Sequence, residues 1–269
     1  MADKQESLSA LAWLVETGAD EAMGETPVDR FAVRPPARPT TSPPISSPAK
    51  TDTRPKPVSD PSDNIGTAMD LARAANSLAE LKAALEGFDG CALKRGATHT
   101  VFADGNPDSR ILFVGEAPGR DEDRIGLPFV GRAGKLLDKM LAAIDLDRSK
   151  AYITNVINWR PPDNRDPSPE EAAMCLPFLR RHIELVDPEV MILLGAVAVR
   201  HVMGRSDGIM KTRGQWLEYS VGSRMVPVMP TLHPAYLLRQ PAHKKLAWRD
   251  LQAVERKIAA LRGLQNTQG

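Results

Sequence analysis

Cysteine is scarce, with two residues, Cys91 and Cys175, among 269. Two cysteines cannot make a disulfide framework, neither sits in a CxxC pair, and in a reducing compartment both are expected as free thiols. An excess of charge of one sign is also missing. Lys and Arg total 35 against 34 Asp and Glu, a net charge of +1, so a hold on any polyanion has to come from local clusters rather than from a basic body. No apolar run reaches the length of about 18 residues that a membrane-spanning helix needs. The opening, MADKQESLSALAWLVETGADEAMG, lacks the basic stretch and small-residue cleavage site of a signal peptide. The expectation is a cytoplasmic protein with no membrane attachment, long enough for one sizeable α/β core plus a loosely attached segment.

What is present falls into three stretches. Leu8, Leu11, Trp13, Leu14 and Val15 recur at roughly helical spacing, which predicts a short amphipathic helix within residues 1–24. Residues 25–65 turn to Pro, Ser, Thr and Arg, as in VRPPARPTTSPPISSPAK. Too few large apolar groups occur there to offset the entropy of ordering, so the stretch reads as a linker, a tether or a docking segment. The globular part, residues 66–265, opens with one helix over MDLARAANSLAELKAALEGF and then alternates apolar runs with helical patterns. ILFVG (111–115), AYITNVI (151–157), VMILLGAVA (190–198) and RMVPVMPTL (224–232) read as strands, separated by GRAGKLLDKMLAAI, EEAAMCLPFLRRHIELV and the HVMG region as crossover helices. That rhythm predicts a small parallel sheet between helical layers, with ligands at the carboxyl ends of the strands.

Four groups of residues fall at those ends. After the first strand comes Gly115-Glu116-Ala117-Pro118-Gly119-Arg120-Asp121-Glu122-Asp123, where the glycines permit close backbone approach and a carboxylate can orient water or accept a proton, unless the run is simply a solvated acidic loop. Phe129, between Pro128 and the Gly131-Arg132-Ala133-Gly134 turn, can stack a flat ring or pack in the core. Asn155 ends the second strand. Its amide can read the N3–H and carbonyl of a pyrimidine imide, or form a turn. His233 follows the fourth strand and can donate to an oxygen that gains charge as a bond breaks, or be structural.

Together GEAPGRDED, GLPFVGRAGKLLDKML, YITNVINWRPPDNRDPSPEEA and LHPAYLLR resemble the ordered motifs of the family 4 uracil-DNA glycosylases, over about residues 88–261. The resemblance implies a three-layer α/β/α fold with a four-stranded parallel sheet, uracil flipped out of DNA, and hydrolysis of its N-glycosidic bond to an abasic site. By the same resemblance Glu116 and Glu122 stand near the attacking water, with Glu122 alternatively crowding the thymine methyl position. Ala117, Pro118 and Gly119 line the pocket, Phe129 stacks on uracil, Asn155 bonds its pairing edge and His233 bonds O2. Leu237 or Leu238 would fill the gap left in the helix, Arg239 would contact a phosphate, and Arg160, Arg165, Lys244 and Lys245 are further backbone-contact candidates. The implied partner is uracil-containing DNA, bound by a monomer.

Two departures stand out. Family 4 enzymes generally hold a four-iron four-sulfur cluster on four cysteines; here Phe88 and Trp159 occupy two of those positions, and only Cys91 and Cys175 remain. No metal or cluster is therefore expected, and the two aromatics are expected to plug the vacated volume. In addition, Ala117 stands where another family of uracil glycosylases carries an aspartate base, which throws the chemistry onto substrate distortion and Glu116. Two rival readings are a same-fold glycosylase for hypoxanthine or xanthine, and a catalytically silent DNA-binding module.

Overall fold

A computed structural model describes residues 61–266; the amphipathic segment near the amino terminus and most of the Pro-rich stretch lie outside the described residues. The chain forms helices α1 (Pro61–Ala74) and α2 (Leu78–Gly87), then β1 (Ala103–Gly105), β2 (Ile111–Gly115), α3 (Arg120–Ile125), α4 (Arg132–Ala142) and β3 (Tyr152–Asn155). There follow α5 (Pro169–Val186), β4 (Val190–Leu194), α6 (Ala196–Met203), α7 (Ile209–Thr212), β5 (Leu217–Val221), β6 (Arg224–Thr231), α8 (Pro234–Arg239) and α9 (Lys244–Asn266). The sheet has six strands in the order β1-β3-β2-β4-β6-β5. The middle four pair in parallel, as expected, whereas β1 and β5 add an antiparallel edge on each side.

The apolar strands β2 and β4 are buried along their whole length. Alternate residues feed two cores: Leu112, Val114, Met191 and Leu193 face one, Phe113, Ile153, Ile192 and Leu194 the other. A strand buried on both faces must be apolar throughout, which is why these segments read as continuous runs. From β2 the chain moves to β3 on one side; from β3 it crosses to β4 on the other. That reversal opens a crevice at the carboxyl ends.

Several local expectations are corrected. The first helix is two helices, because Ser77 caps the second through a bond from the Glu80 N–H at 3.2 Å and the Glu80 carboxylate accepts the Asn76 N–H at 2.8 Å. Short polar side chains here outcompete helix continuation. The first of them begins at Pro61, inside the stretch read as linker. VMILLGAVA is strand only to Leu194: Gly195, at φ 94°, turns the chain into α6. The edge strands escaped notice because β1 is three residues long and the sequence of β5, LEYSV, alternates between inward and exposed positions. Among the described residues no helix is long and apolar enough to cross a membrane.

Candidate active site

The carboxyl ends of β2, β3 and β6 surround a cleft of about 390 Å³ lined by Glu116, Ala117, Pro118, Gly119, Glu122, Phe129, Asn155, Asp166, Tyr236 and His233. The four separate sequence segments thus meet at one rim. Glycine makes the convergence possible: a Cβ on Gly115 would collide with both the Asn155 carboxamide oxygen and the Phe129 ring. Those two groups close on the strand end only because nothing projects from it.

Phe129 sits in an unusual backbone conformation, at φ 55°, which a non-glycine residue adopts at a cost of the order of 1 kcal/mol or more. Its surroundings hold it there. Arg148 donates Nη2 to the Phe129 carbonyl and Nη1 to the Pro128 carbonyl at 3.1 Å, and is itself anchored by Asp104 and by Asp138 at 2.9 Å. Gly134 lies so close beneath that any Cβ would strike the same carbonyl. The ring is 5 % exposed and tilts at 34° to His233, centroids 5.5 Å apart.

Glu122 lines the cleft, but its carboxylate is taken: Oε2 accepts the Gly119 N–H at 3.1 Å, and Oε1 accepts those of Val130 and Gly131 at 2.9 and 2.8 Å. One side chain therefore staples the GEAPG turn to the Phe129 loop. With its acceptors spent on amides it is a poor holder of water, and the geometry favours Glu116 for that task. Desolvation raises the Glu116 carboxyl to about 7, with Asp166 pushing the same way against Arg200 and Arg239. A carboxyl poised there can accept a proton near neutrality.

Asn155, the last residue of β3, pairs with Gly115 of β2, is 2 % exposed and faces the cleft, and its Oδ1 is buried with no hydrogen-bond partner. A buried acceptor without a donor costs about 1–3 kcal/mol. His233 caps α8, its Nδ1 accepting the Ala235 N–H at 3.1 Å. The neutral ring must then carry its proton on Nε2. Burial, followed by the charge of Arg239, pulls its pKa to about 4, so it is neutral at ordinary pH.

The rim sorts the remaining candidates. Leu237 is 1 % exposed and belongs to the core between sheet and helices, so it faces no DNA; Leu238, 37 % exposed, is the outward leucine. Arg165 is held in both arms by Glu171, at 2.8 and 2.6 Å. That ion pair belongs to the start of α5, where Glu171 also forms a capping box with Ser168, and it removes Arg165 from the free contacts. Arg160 donates Nε to Asn164 at 2.8 Å, and Arg239 is exposed at the mouth, as Lys244 and Lys245 are on the first turn of α9. Sequence reasoning assigned nothing to Asp166, Tyr236 or Arg148. Tyr236 stacks on His243, its hydroxyl 2.7 Å from Nδ1; its only signal was its place inside LHPAYLLR.

On the opposite face of the sheet lie the two cysteines and the two aromatics that the resemblance sets at cluster positions. Phe88, Cys91, Trp159 and Cys175 are all buried in one apolar core. Phe88 packs against Phe178, centroids 5.4 Å apart, and the Trp159 indole N–H donates to Thr100 Oγ1 at 3.0 Å. Donation of the Cys175 thiol to Cys91, then burial, holds Cys175 far above the usual thiol range. A four-thiolate cluster does not fit this donor set: two thiols and two packed rings occupy the space.

An α/β scaffold with a buried, unpaired amide, an aromatic ring and a neutral imidazole around one slot has the form of a hydrolase of the glycosylase kind. The chain belongs to the uracil DNA glycosylase superfamily, whose family model matches residues 102–252. It is 45% identical over 155 residues to the Type-4 uracil-DNA glycosylase of Thermotoga maritima, covering 57% of this chain and 79% of that one. The Type-4 enzyme of Sulfurisphaera tokodaii is 38% identical over 184 residues, 66% of this chain and 84% of its own. A Type-5 uracil-DNA glycosylase of Pyrobaculum aerophilum shares 32% over 114 residues, 37% and 50% of the two chains.

Proposed function

We propose that this chain is a monofunctional uracil-DNA glycosylase, acting as a cytoplasmic monomer in base excision repair. The observation that carries the proposal is the unpaired Oδ1 of Asn155 inside the slot. An imide N3–H is the donor it lacks, and the Asn155 Nδ2–H can donate a hydrogen bond to the neighbouring carbonyl. Removing a base from the stack costs a few kcal/mol, offset here by stacking on Phe129 and by this paired edge.

As the C1′–N1 bond breaks, the sugar gains oxocarbenium character and the electron pair goes to uracil N1, spreading onto O2. His233, neutral with Nε2–H free to donate, stabilises that oxygen without being consumed as an acid. Glu116 holds the water whose oxygen bonds to C1′ and takes the proton released. Ala117 offers no second carboxylate, so Glu116 carries this duty, with Glu122 shaping the turn in which it sits.

No cluster enters this scheme. Two buried thiols, one held strongly protonated by its neighbour, do not supply four thiolates, so the protein is expected to purify without stoichiometric iron or visible iron–sulfur absorption. Labelled oligonucleotides carrying uracil, hypoxanthine, xanthine or a G·T mismatch, cleaved with alkali after incubation, test the activity. Strand breaks at uracil are the expected result; cutting only at the purine lesions or none at all would overturn the assignment.

A further inference from the structure

Beside the base slot lies a second groove, of about 520 Å³, that shares Glu122, Ala133, Asn164, Ala235 and Arg239 with it. Four guanidinium groups line it. Arg120 is the first residue of α3, Arg132 the first of α4, Arg160 lies in the segment after β3, and Arg239 ends α8. Arg120, Arg132 and Arg239 are exposed, and among the described residues their side chains have no ion pair or hydrogen bond. Arg160 gives one bond to Asn164 and makes no ion pair.

This is unlike the arginines that brace the fold. Arg148 is held by Asp104 and Asp138, Arg165 by Glu171, Arg213 by Asp250, and Arg110 and Arg224 by Asp187. The carboxylates of the groove do not offer the same service: Glu122 is committed to three backbone amides, and Asp121 lies 4.0 Å from Arg124. Four like charges gathered without matched anions repel one another, and a polyanion laid along them removes that penalty.

A nucleotide everted into the slot must carry its sugar–phosphate chain over the shared wall. We propose that the groove is a phosphate track for the damaged strand, with Arg120 and Arg132 joining Arg239 as its contacts. The inference rests on the base-slot reading and extends it. Guanidinium forks suit phosphate oxygens, gripping two at a time where a lysine grips one. Such contacts form equally in ground and transition states. They set KM and its salt dependence and leave kcat alone.

The test uses the full chain and a single-stranded oligonucleotide with one uracil, measured across sodium chloride concentrations. Alongside it, Kd for the undamaged oligonucleotide reads the groove without catalysis. Combined Arg120→Ala and Arg132→Ala should flatten the plot of log affinity against log salt by about 1.4, or about 0.7 per lost contact. KM should rise about tenfold or more at low salt with kcat within about twofold. Arg95→Ala, an exposed arginine on the short turn Ala92–Gly96 outside the groove, should leave the slope unchanged. The paired lysine variants Arg120→Lys and Arg132→Lys, which keep the charge, should restore the slope, and the uncharged pair Arg120→Gln and Arg132→Gln serves as the reading if the alanine pair folds poorly. An unchanged slope in the alanine pair, or an equal loss from Arg95→Ala, overturns the proposal. Absence of uracil release by the unsubstituted protein would instead sink the glycosylase reading, while the undamaged-strand isotherms still decide the groove.

Discussion

The two faces of the sheet end treat their polar and apolar groups in opposite ways. On the side of Cys91 and Cys175 the buried groups have partners: Trp159 finds Thr100, Phe88 finds Phe178, and the thiols meet each other. At the base slot an acceptor has no donor, a carboxyl is pushed to about 7, an imidazole is pulled to about 4, and an aromatic residue is held at positive φ. The first region obeys the packing rules and is stable; the second breaks them where a ligand would mend them. Departures from local consistency mark function in folded proteins.

The sharpest way to break this contrast is to remove the two polar side chains proposed to contact the base. Asn155→Ala and His233→Ala should each lower kcat/KM on uracil oligonucleotides by about 10²–10³-fold, the range for losing one donor to a developing charge. The melting temperature of Asn155→Ala should hold or rise, because a stranded acceptor disappears. The plug should answer in the reverse sense. Trp159→Ala or Phe88→Ala should cost about 3–5 kcal/mol in denaturant unfolding, while excision measured well below the transition keeps its rate. A buried ion pair offers a similar check on the scaffold: Asp250 accepts from Arg213 and from Thr231 at 2.7 Å, and Asp250→Ala should destabilise by about 3–5 kcal/mol by leaving the guanidinium uncompensated.

Adjacent leucines sharpen the contrast at smaller scale. Leu237→Ala should lower stability by about 2–5 kcal/mol as a core deletion, whereas Leu238→Ala should spare stability and reduce excision from duplex more than from single strands. The smallest effect concerns pH. If Glu116 works as the proposed water-holding carboxylate, kcat/KM should climb through about pH 7 and level above it. His233 stays neutral over that range, its pKa being about 4. Asp166→Asn removes a charge that raises Glu116 and should move the limb to lower pH; Arg239→Ala removes one that lowers it and should move the limb up. A limb unmoved by either change would separate it from Glu116.

The parts of the fold that sequence periodicity could reveal were those whose burial leaves no choice. β2 and β4 must be apolar at every position because both faces are covered, and their ends located Glu116 and, with β3 and β6, Asn155 and His233. Edge strands face water on one side and carry a mixed pattern, so β1 and β5 left no clear mark. Within the site, residue type predicted capacity but not commitment. Glu116 and Glu122 are equivalent as letters; only the arrangement of amides shows that one is spent on the backbone. Leu237 and Leu238 differ by a helical rotation of about 100°, which decides which is buried, and Arg165 looked free until Glu171, six residues on, closed around it. Arg148 could not have been found by motif, since its partners are scattered from 10 to 44 residues away.

Arg148 also governs how the slot could be retuned. It reaches under the Phe129 platform from outside the cleft and anchors it to β1 and α4. Anyone altering the wall to admit a bulkier lesion can vary the residues that touch the guest and still keep the floor level, provided this one guanidinium is spared. Losing it would let the ring wander, and every guest, old or new, would meet a shelf that no longer lies flat.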